Sequence, residues 1–213
     1  MLLYYITDRT QFPGGEWERR ERLLETISEA ARCGVDYVQL REKDLPAREL
    51  EALARDVVAR IRGSGSKARL LINSRTDVAL AVGADGIHLR AKDISPMDGR
   101  SIWRSVKRAA EPIVVVSCHT EAEVVTAQEA GADFVVFGPV FGKKDRKKYA
   151  PEIGITGPDL LHTICRSAIP VFGLGGISAE NAVACARAGA KGIAGTRLFQ
   201  KANVSATVAR LRG

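Results

Sequence analysis

The hydrophobic and polar positions along this chain follow two alternating patterns, one typical of buried strands and the other of amphipathic helices. Short segments such as "PIVVVSC" and "DFVVFGPV" are apolar on both faces, as a parallel sheet covered by helices requires. Between them, stretches such as "ERLLETISEAA" and "EAEVVTAQEA" place apolar residues at helical spacing. The chain is therefore predicted to alternate strands and helices along its whole length.

The two patterns give eight strands and eight helices. Strands are predicted at about 2–7, 37–42, 69–74, 86–90, 113–118, 134–140, 170–175 and 192–196, and helices at about 16–33, 46–62, 76–83, 96–109, 120–130, 158–167, 178–188 and 203–212. Eight such units in 213 residues favour a closed (β/α)8 TIM barrel over an open doubly wound sheet. Since no segment resembles a linker, residues 1–213 are predicted to form a single TIM-barrel domain.

A short glycine motif recurs directly after four of the predicted helices. It appears as "RCGVDYV", "VGADGI", "AGADFV" and "AGAKGI". Its glycines are expected to end the helices with a positive φ angle, and they are Gly34, Gly83, Gly131 and Gly189. Four similar turns from helix to strand indicate one repeated packing unit, which supports the barrel.

Composition and charge narrow the classes of partner. No apolar run reaches the roughly 18 residues of a membrane-spanning helix, and Met1 leads into a predicted strand rather than a signal peptide. Four scattered cysteines without a C-x-x-C pair favour reduced thiols and a cytoplasmic location. The net charge of +7 suits phosphorylated small molecules. It is mostly dispersed, and the one dense cluster, 142–148, is short, so no nucleic acid is expected as a partner.

Polar residues gather where the predicted strands end, and in TIM barrels that face carries the active site. These residues are Thr7 and Asp8, then Gln39, Arg41 and Lys43, then Asn73 and Ser74, then His88, Arg90 and Asp93, and finally Ser117 and His119. Because strand side chains alternate, Gln39, Arg41 and Lys43 are expected to share one side of strand two. They are predicted to line an anion pocket at the barrel mouth.

A second anion site is predicted after strands seven and eight. Gly175 and Gly176 precede the helix predicted from about 178, so their amides and the helix terminus could bind a phosphate, with Thr196 beside them. A tight turn is the alternative explanation for this glycine pair. The basic loop 142–148 follows strand six and is predicted to act as a lid that carries Arg146 and Lys147 onto an anion.

Several single residues admit two interpretations. Asp93 is expected either to hold a divalent metal beside a phosphate or to cap the next helix. His119 is expected either to transfer protons or only to hydrogen-bond its neighbours. His88, within strand four, is interpreted as structural, and Cys118 is expected to face the helices.

Seven sequence blocks follow one another along nearly the whole chain: "YYITDR", "VQLREKD", "LINSRTDVALAVGADGIHL", "VSCHT", "GADFVVFGPVF", "PVFGLGGIS" and "AGAKGIAGT". In these blocks the chain resembles the family of thiamine-phosphate synthases and related thiazole tautomerases. The resemblance implies a TIM-barrel transferase of thiamine biosynthesis that couples aminomethylpyrimidine diphosphate with a thiazole (carboxylate) phosphate and releases pyrophosphate. It also implies Mg²⁺ as a cofactor and a possible homodimer.

The resemblance also implies roles for individual residues. The pyrimidine diphosphate site would comprise Gln39, Leu40, Arg41, Glu42, Lys43, Asn73, Ser117 and Arg146, with magnesium at Ser74 and Asp93. The thiazole phosphate site would comprise Lys143, Lys144, Asp145, Gly176, Thr196 and Arg197. Catalytic roles are predicted for Ser117, Arg41, Lys43 and His119.

Three single positions and one loop depart from the family's pattern. Ser74 stands where synthases carry a metal-binding aspartate, Arg90 where they carry a glycine, and Arg197 where they carry a small serine. The fourth departure is the loop 142–148, which lacks the family's threonines and has an arginine at 146 in place of lysine. Two alternatives therefore stay open: a tautomerase that acts on the thiazole carboxylate phosphate through His119, and a non-catalytic barrel that binds phosphate ligands.

Overall fold

Eight parallel strands close into a barrel in the order β1 to β8 in the computed structural model, which describes residues 1–106, 110–141, 157–201 and 203–213. The strands are β1 Leu2–Ile6, β2 Tyr37–Leu40, β3 Arg69–Asn73, β4 Gly86–Arg90, β5 Ile113–Cys118, β6 Phe134–Phe137, β7 Val171–Leu174 and β8 Gly192–Gly195. The helices are α1 Glu16–Arg32, α2 Ala47–Gly63, α3 Thr76–Val82, α4 Pro96–Ser105, α5 Glu121–Glu129, α6 Gly157–Ile164, α7 Ala182–Arg187, α8 Arg197–Gln200 and α9 Val204–Arg212. The (β/α)8 barrel predicted from the sequence is confirmed. Across these described ranges, no helix combines the length and apolarity needed to cross a bilayer.

The recurring glycine motif sets both the turn and the strand that follows it. Its four glycines have φ angles of 97°, 71°, 80° and 94°, which confirms the predicted left-handed turns. Two residues later, Asp36, Asp85 and Asp133 each accept a hydrogen bond from a backbone N–H near the start of the preceding strand. The backbone N–H of each aspartate also donates a hydrogen bond to a carbonyl oxygen of that strand. The motif therefore ties consecutive strands together at the amino-terminal face.

Closure of the sheet sorts the side chains into two layers. β1 pairs with β2 and also with β8, so the sheet has no edge. One layer fills the barrel interior and includes Tyr4, Leu71, Phe134 and Phe172. The other lies between strands and helices, and it contains Cys118, as predicted. Burial raises the pKa of the Cys118 thiol to about 12, so this cysteine is protonated at neutral pH.

Aromatic rings fill the amino-terminal half of the barrel. Phe134 and Phe172 stack with ring centroids 4.5 Å apart, and Tyr37 meets Phe134 at 5.0 Å. Gly192 makes room for them, because a Cβ at that position would lie 2.4 Å from the ring of Phe172. The interior of the barrel is therefore packed at this end.

Several predicted boundaries were wrong at the functional face. β2 ends at Leu40, so the alternation predicted to run through Lys43 stops there. The helix predicted at 178–188 spans only Ala182–Arg187, and the four-residue helix α8 was not predicted. Ser95, rather than Asp93, caps α4, which removes the capping interpretation of Asp93.

We expect Phe172→Ala to lower the free energy of unfolding by about 3–5 kcal/mol, because it removes a fully packed ring from the interior. Urea unfolding followed by circular dichroism measures this loss. Leu160→Ala provides the comparison, since Leu160 is exposed and should cost well under 1 kcal/mol. Similar losses in both variants would contradict the packed interior.

Candidate active site at the carboxyl ends of the strands

Polar side chains at the ends of β2 to β5 occupy one half of the barrel mouth. Gln39 is 2% exposed, and its Nε2 donates to Oδ1 of Asn73 over 2.9 Å. Asn73 is the register partner of His88, and Arg90 is the partner of Ser117 on the next strand. These side chains point to the same side of the sheet as the interior layer. The register therefore brings together the strand-end residues that were predicted to lie at the barrel mouth.

A hydrogen-bonded chain runs from the barrel interior to Ser117. Tyr4 Oη lies 2.8 Å from His88 Nδ1, and His88 Nε2 lies 2.7 Å from Ser117 Oγ. Burial raises the pKa of Tyr4 well above its ordinary value and lowers that of His88 to about 3, with Arg41 adding to the second effect. The phenol therefore keeps its proton and the imidazole is neutral.

The direction of these hydrogen bonds follows from the burial of Tyr4. His88 is the sole hydrogen-bond partner of the Tyr4 hydroxyl within the described ranges. If His88 donated from Nδ1, the phenolic proton would be buried without an acceptor, at a cost of about 1–3 kcal/mol. Tyr4 therefore donates to Nδ1, and Nε2–H donates to Ser117 Oγ. The hydroxyl proton of Ser117 is left to be donated toward the mouth.

The loop after β2 rests on a buried ion pair. The Glu42 carboxylate is fully buried and accepts from Thr7 Oγ1 at 2.5 Å and from the Arg9 backbone N–H at 2.9 Å. Arg9, itself buried, contacts Glu42 at 3.2 Å and forms a two-bond pair with Asp44. Thr7 Oγ1 also accepts from the backbone N–H of Arg41 over 2.9 Å. Glu42 is therefore a support for the loop, while the adjacent cations remain at the mouth.

Two cations at the end of β2 face the mouth and form no salt bridge in the described part of the chain. The Arg41 backbone is held by Thr7, but its guanidinium group has no hydrogen bond there. Burial lowers the pKa of the Lys43 ammonium, and the positive charges of Arg41 and Arg90 lower it further, against the opposing charge of Asp8. Three positive groups therefore act on the same small region, as an anion site requires.

The residues at the predicted magnesium site do not fit a metal ion. Oδ2 of Asp93 accepts from Ser74 Oγ at 2.6 Å and from the Arg90 N–H at 2.9 Å. Oδ1 accepts a hydrogen bond from Arg90 Nε at 2.9 Å and forms an ion pair with Arg90 Nη2 at 2.8 Å. Ser74 contributes a hydroxyl donor rather than an anionic ligand. Within the ranges the structure describes, no group of three or more His, Cys, Asp or Glu residues could hold a metal ion.

The glycine pair after β7 lies on the other half of the mouth. Gly175 and Gly176 have φ angles of 97° and 67°. A Cβ at Gly175 would lie 2.7 Å from Pro139, and one at Gly176 would lie 2.6 Å from the Phe141 carbonyl. Packing therefore requires both glycines, whatever they bind. Because α7 begins only at Ala182, the predicted helix terminus does not lie directly after the pair.

Thr196 and Arg197 complete this half of the mouth, at the end of β8. Thr196 is half-buried and Arg197 is exposed. In the ring of eight strands, β7 and β8 lie opposite β3 and β4. The predicted loop residues Lys143, Lys144, Asp145 and Arg146 lie outside the described residues.

His119 is anchored beside the mouth. Its Nδ1 lies 2.5 Å from the Gly138 carbonyl oxygen, and its backbone N–H donates to Glu123 over 2.6 Å. A carbonyl oxygen only accepts, so Nδ1 carries a proton, and Nε2 is the ring nitrogen left to contact a substrate. The ring could therefore accept a proton at Nε2.

Sequence reasoning and structure differ on four supporting residues and on Leu40. The Leu40 side chain is fully buried between barrel and helices, so it does not reach the mouth. Tyr4, Thr7, Arg9 and His88 form the buried hydrogen bonds described above. Thr7 and His88 were noted among the polar strand ends, His88 as structural, but no role in the site was predicted for any of the four. The first three lie in "YYITDR", and this run of polar residues at a buried strand end was the signal available.

We expect Arg9→Met to destabilise the protein by about 3–5 kcal/mol, because it leaves the buried Glu42 carboxylate without its cation. Adding Glu42→Gln should recover part of this loss. Arg55→Met, which removes only an exposed pair with Glu51, should cost less than about 1 kcal/mol. Chemical denaturation of the native chain, the two single variants and the double variant measures these losses of stability. Equal losses in Arg9→Met and Arg55→Met would contradict the prediction.

His88 should make stability depend on pH. Its pKa in the folded protein is about 3, whereas an unfolded histidine titrates near 6.5. Its stabilising contribution is therefore complete above about pH 6.5 and is lost as pH falls toward 3. Relative to His88→Gln, the native chain should lose about 1.4 kcal/mol of unfolding free energy per pH unit well below 6.5. Parallel stability curves for the two proteins would contradict this assignment.

Comparison with known proteins gives a consistent result. A family model described as thiamine monophosphate synthase matches residues 3–199. The thiamine-phosphate synthase of Roseiflexus sp. strain RS-1 is 38% identical over 194 residues, covering 91% of this chain and 75% of that protein. The thiamine-phosphate synthase of Moorella thermoacetica is 34% identical over 209 residues, covering 98% of this chain and 93% of that protein.

Among solved structures, the thiamine phosphate pyrophosphorylase from Pyrococcus furiosus aligns with a TM-score of 0.80 and 29% identity. The alignment covers 99% of this chain and 93% of that one. The resemblance inferred from the sequence blocks is confirmed by these matches. The chain belongs to the thiamine monophosphate synthase family.

Proposed function

We propose that this enzyme joins an aminomethylpyrimidine diphosphate to a thiazole phosphate, giving thiamine phosphate and pyrophosphate. One observation carries the proposal: Arg41 and Lys43, which form no salt bridge in the described residues, act on the same part of the mouth as the directed hydroxyl of Ser117. That combination suits a diphosphate leaving group. Gly176, Thr196 and Arg197 on the opposite half would receive the thiazole phosphate.

The chemistry needs a stabilised leaving group more than an acid or a base. The C–O bond between the pyrimidinylmethyl carbon and the diphosphate breaks, and its electron pair stays on the departing oxygen. The lone pair of the thiazole nitrogen forms the new C–N bond to the same carbon. Arg41, Lys43 and the Ser117 hydroxyl stabilise the negative charge that develops on the leaving oxygen. The protein otherwise positions the two substrates and excludes water.

A tautomerase acting on thiazole carboxylate phosphate is the second candidate. The observation that favours it is the fixed ring of His119, whose Nε2 could accept and return a proton. This reaction uses a single substrate and leaves the cations at the end of β2 without a role. The synthase accounts for more of the described site.

The assay combines the purified chain with both phosphorylated substrates and measures thiamine phosphate and pyrophosphate. We expect Ser117→Ala to lower kcat by about 10²–10³-fold, as for loss of one preorganised donor. Arg41→Ala should weaken diphosphate binding by about 2 kcal/mol or more. Arg55→Ala, at an exposed ion pair between helical residues, should leave both quantities unchanged.

The outcomes separate the two candidates. Thiamine phosphate formation that survives His119→Ala but falls with Ser117→Ala supports the synthase. If no thiamine phosphate forms, while isomerisation of the thiazole proceeds and is abolished by His119→Ala, the synthase proposal is wrong and the tautomerase replaces it. The single-domain organisation, the homodimer and the cytoplasmic location remain predictions from the sequence.

A further inference from the structure

We propose that Arg90 takes the place of the divalent cation, so that this chain binds the diphosphate of its substrate without a metal. The inference rests on the proposed function, since it concerns how that site holds its leaving group. It replaces the expectation that Ser74 and Asp93 bind Mg²⁺. Three features of the described residues carry it: the hydrogen bonding of Asp93, the position of Arg90 and the total charge of the site.

Protein groups already occupy Asp93. A carboxylate offers about four lone-pair positions; the Ser74 hydroxyl and the N–H and Nε of Arg90 donate to three of them, and Arg90 Nη2 forms an ion pair at the same carboxylate. A magnesium ion would have to displace the guanidinium group. The displaced arginine is rooted at the end of the same strand, so its positive charge would remain close to the ion.

Arg90 is placed to contact a ligand. It has the same parity on β4 as His88, lies one step nearer the mouth, and is the register partner of Ser117. Its side chain is 66% exposed, whereas that of Asp93 is 11% exposed. Of the five N–H donors of a guanidinium group, that of Nε bonds to Asp93 and Nη2 lies 2.8 Å from the same carboxylate, so the other donors remain available to phosphate oxygens.

The charges of the site balance without a metal. Arg41, Lys43 and Arg90 contribute three positive charges and Asp93 one negative charge, for a total of +2. A site with a carboxylate at position 74, no arginine at position 90 and a bound Mg²⁺ would reach the same total. The serine at 74 and the arginine at 90 are therefore complementary changes, because together they remove one acidic ligand and supply one fixed cation.

The mutual effect of the cations supports a shared anion. The positive charges of Arg41 and Arg90 both lower the pKa of Lys43, so the three groups lie close enough to repel one another. Such repulsion is relieved by an anion that contacts all three. The nearby Asp8 carboxylate does not serve this purpose alone, because it accepts hydrogen bonds from Thr10 and Gln11.

The first test is calorimetric titration of the full chain with inorganic pyrophosphate in EDTA and, separately, in Mg²⁺. We expect binding in EDTA with an affinity within about threefold of that in Mg²⁺. Arg90→Gln should weaken binding in EDTA by at least tenfold. Arg69→Gln is the matched control, because Arg69 also forms an exposed 2.8 Å pair with an aspartate, Asp85, but at the opposite face of the barrel. The affinity of Arg69→Gln for pyrophosphate should match that of the native chain.

The second test measures metal binding without substrate or turnover. Titration with Mn²⁺ followed by electron paramagnetic resonance should show no site in the native chain, whereas the double variant S74D/R90G should gain one. Thermal unfolding of each variant checks that it is folded. Pyrophosphate binding that requires Mg²⁺, an Arg90→Gln variant with native affinity, or Mn²⁺ binding by the native chain that is lost in Asp93→Asn would each overturn the inference.

These tests are independent of the proposed reaction. If the chain forms no thiamine phosphate but binds pyrophosphate in EDTA through Arg90, the proposed function fails while the metal-free anion site stands. If it forms thiamine phosphate only when Mg²⁺ is present, the function stands and the inference fails.

Discussion

Closure of the sheet between β1 and β8 is the constraint on which the other features depend. The register runs from Leu2 opposite Gly192 to Tyr5 opposite Gly195, and it leaves no strand edge unpaired. Once the ring is closed, the parity of each strand decides which side chains enter the interior. All eight carboxyl ends then meet at one face. The functional groups are brought together by backbone pairing rather than by attraction for one another.

Polar groups inside such a barrel must find partners, because an unpaired buried donor or carboxylate is costly. Here the required pairing also positions the site. The Tyr4 hydroxyl donates to His88, so His88 donates to Ser117 Oγ from its other ring nitrogen. The Ser117 hydroxyl proton is then free to be donated toward the mouth. Arg9 neutralises the buried Glu42, and the loop that carries Arg41 is held in place. Stability and orientation therefore arise from the same hydrogen bonds.

Positive charge is concentrated on one half of the barrel mouth. Arginine, lysine and a serine hydroxyl surround the place where the family resemblance led us to expect a metal. The Arg90 guanidinium group is held by Asp93, so bonds within the protein set the direction of this cation. The opposite half of the mouth relies on backbone, since Gly175 and Gly176 let the chain turn where side chains would collide with Pro139 and Phe141.

Features that depend on local geometry could be predicted from the residues alone. The four motif glycines take the positive φ angles expected of residues that end helices. The spacing of apolar residues shows which faces of strands and helices are buried. Together these features made the barrel and its polar strand ends predictable. The end of β2 was not, because the Arg41 N–H donates to Thr7 on another strand. The start of α7 was not either, because Asn181 bonds to Ser178 and Gly176 just before the helix. Two features depend on the pairing of distant segments: which groups donate hydrogen bonds to Asp93, and that Tyr4 reaches Ser117 through His88. Tyr4 is 84 residues from His88, and Ser74 is 19 residues from Asp93. Such partners are chosen by the register of the closed ring, which residue types and their spacing do not specify.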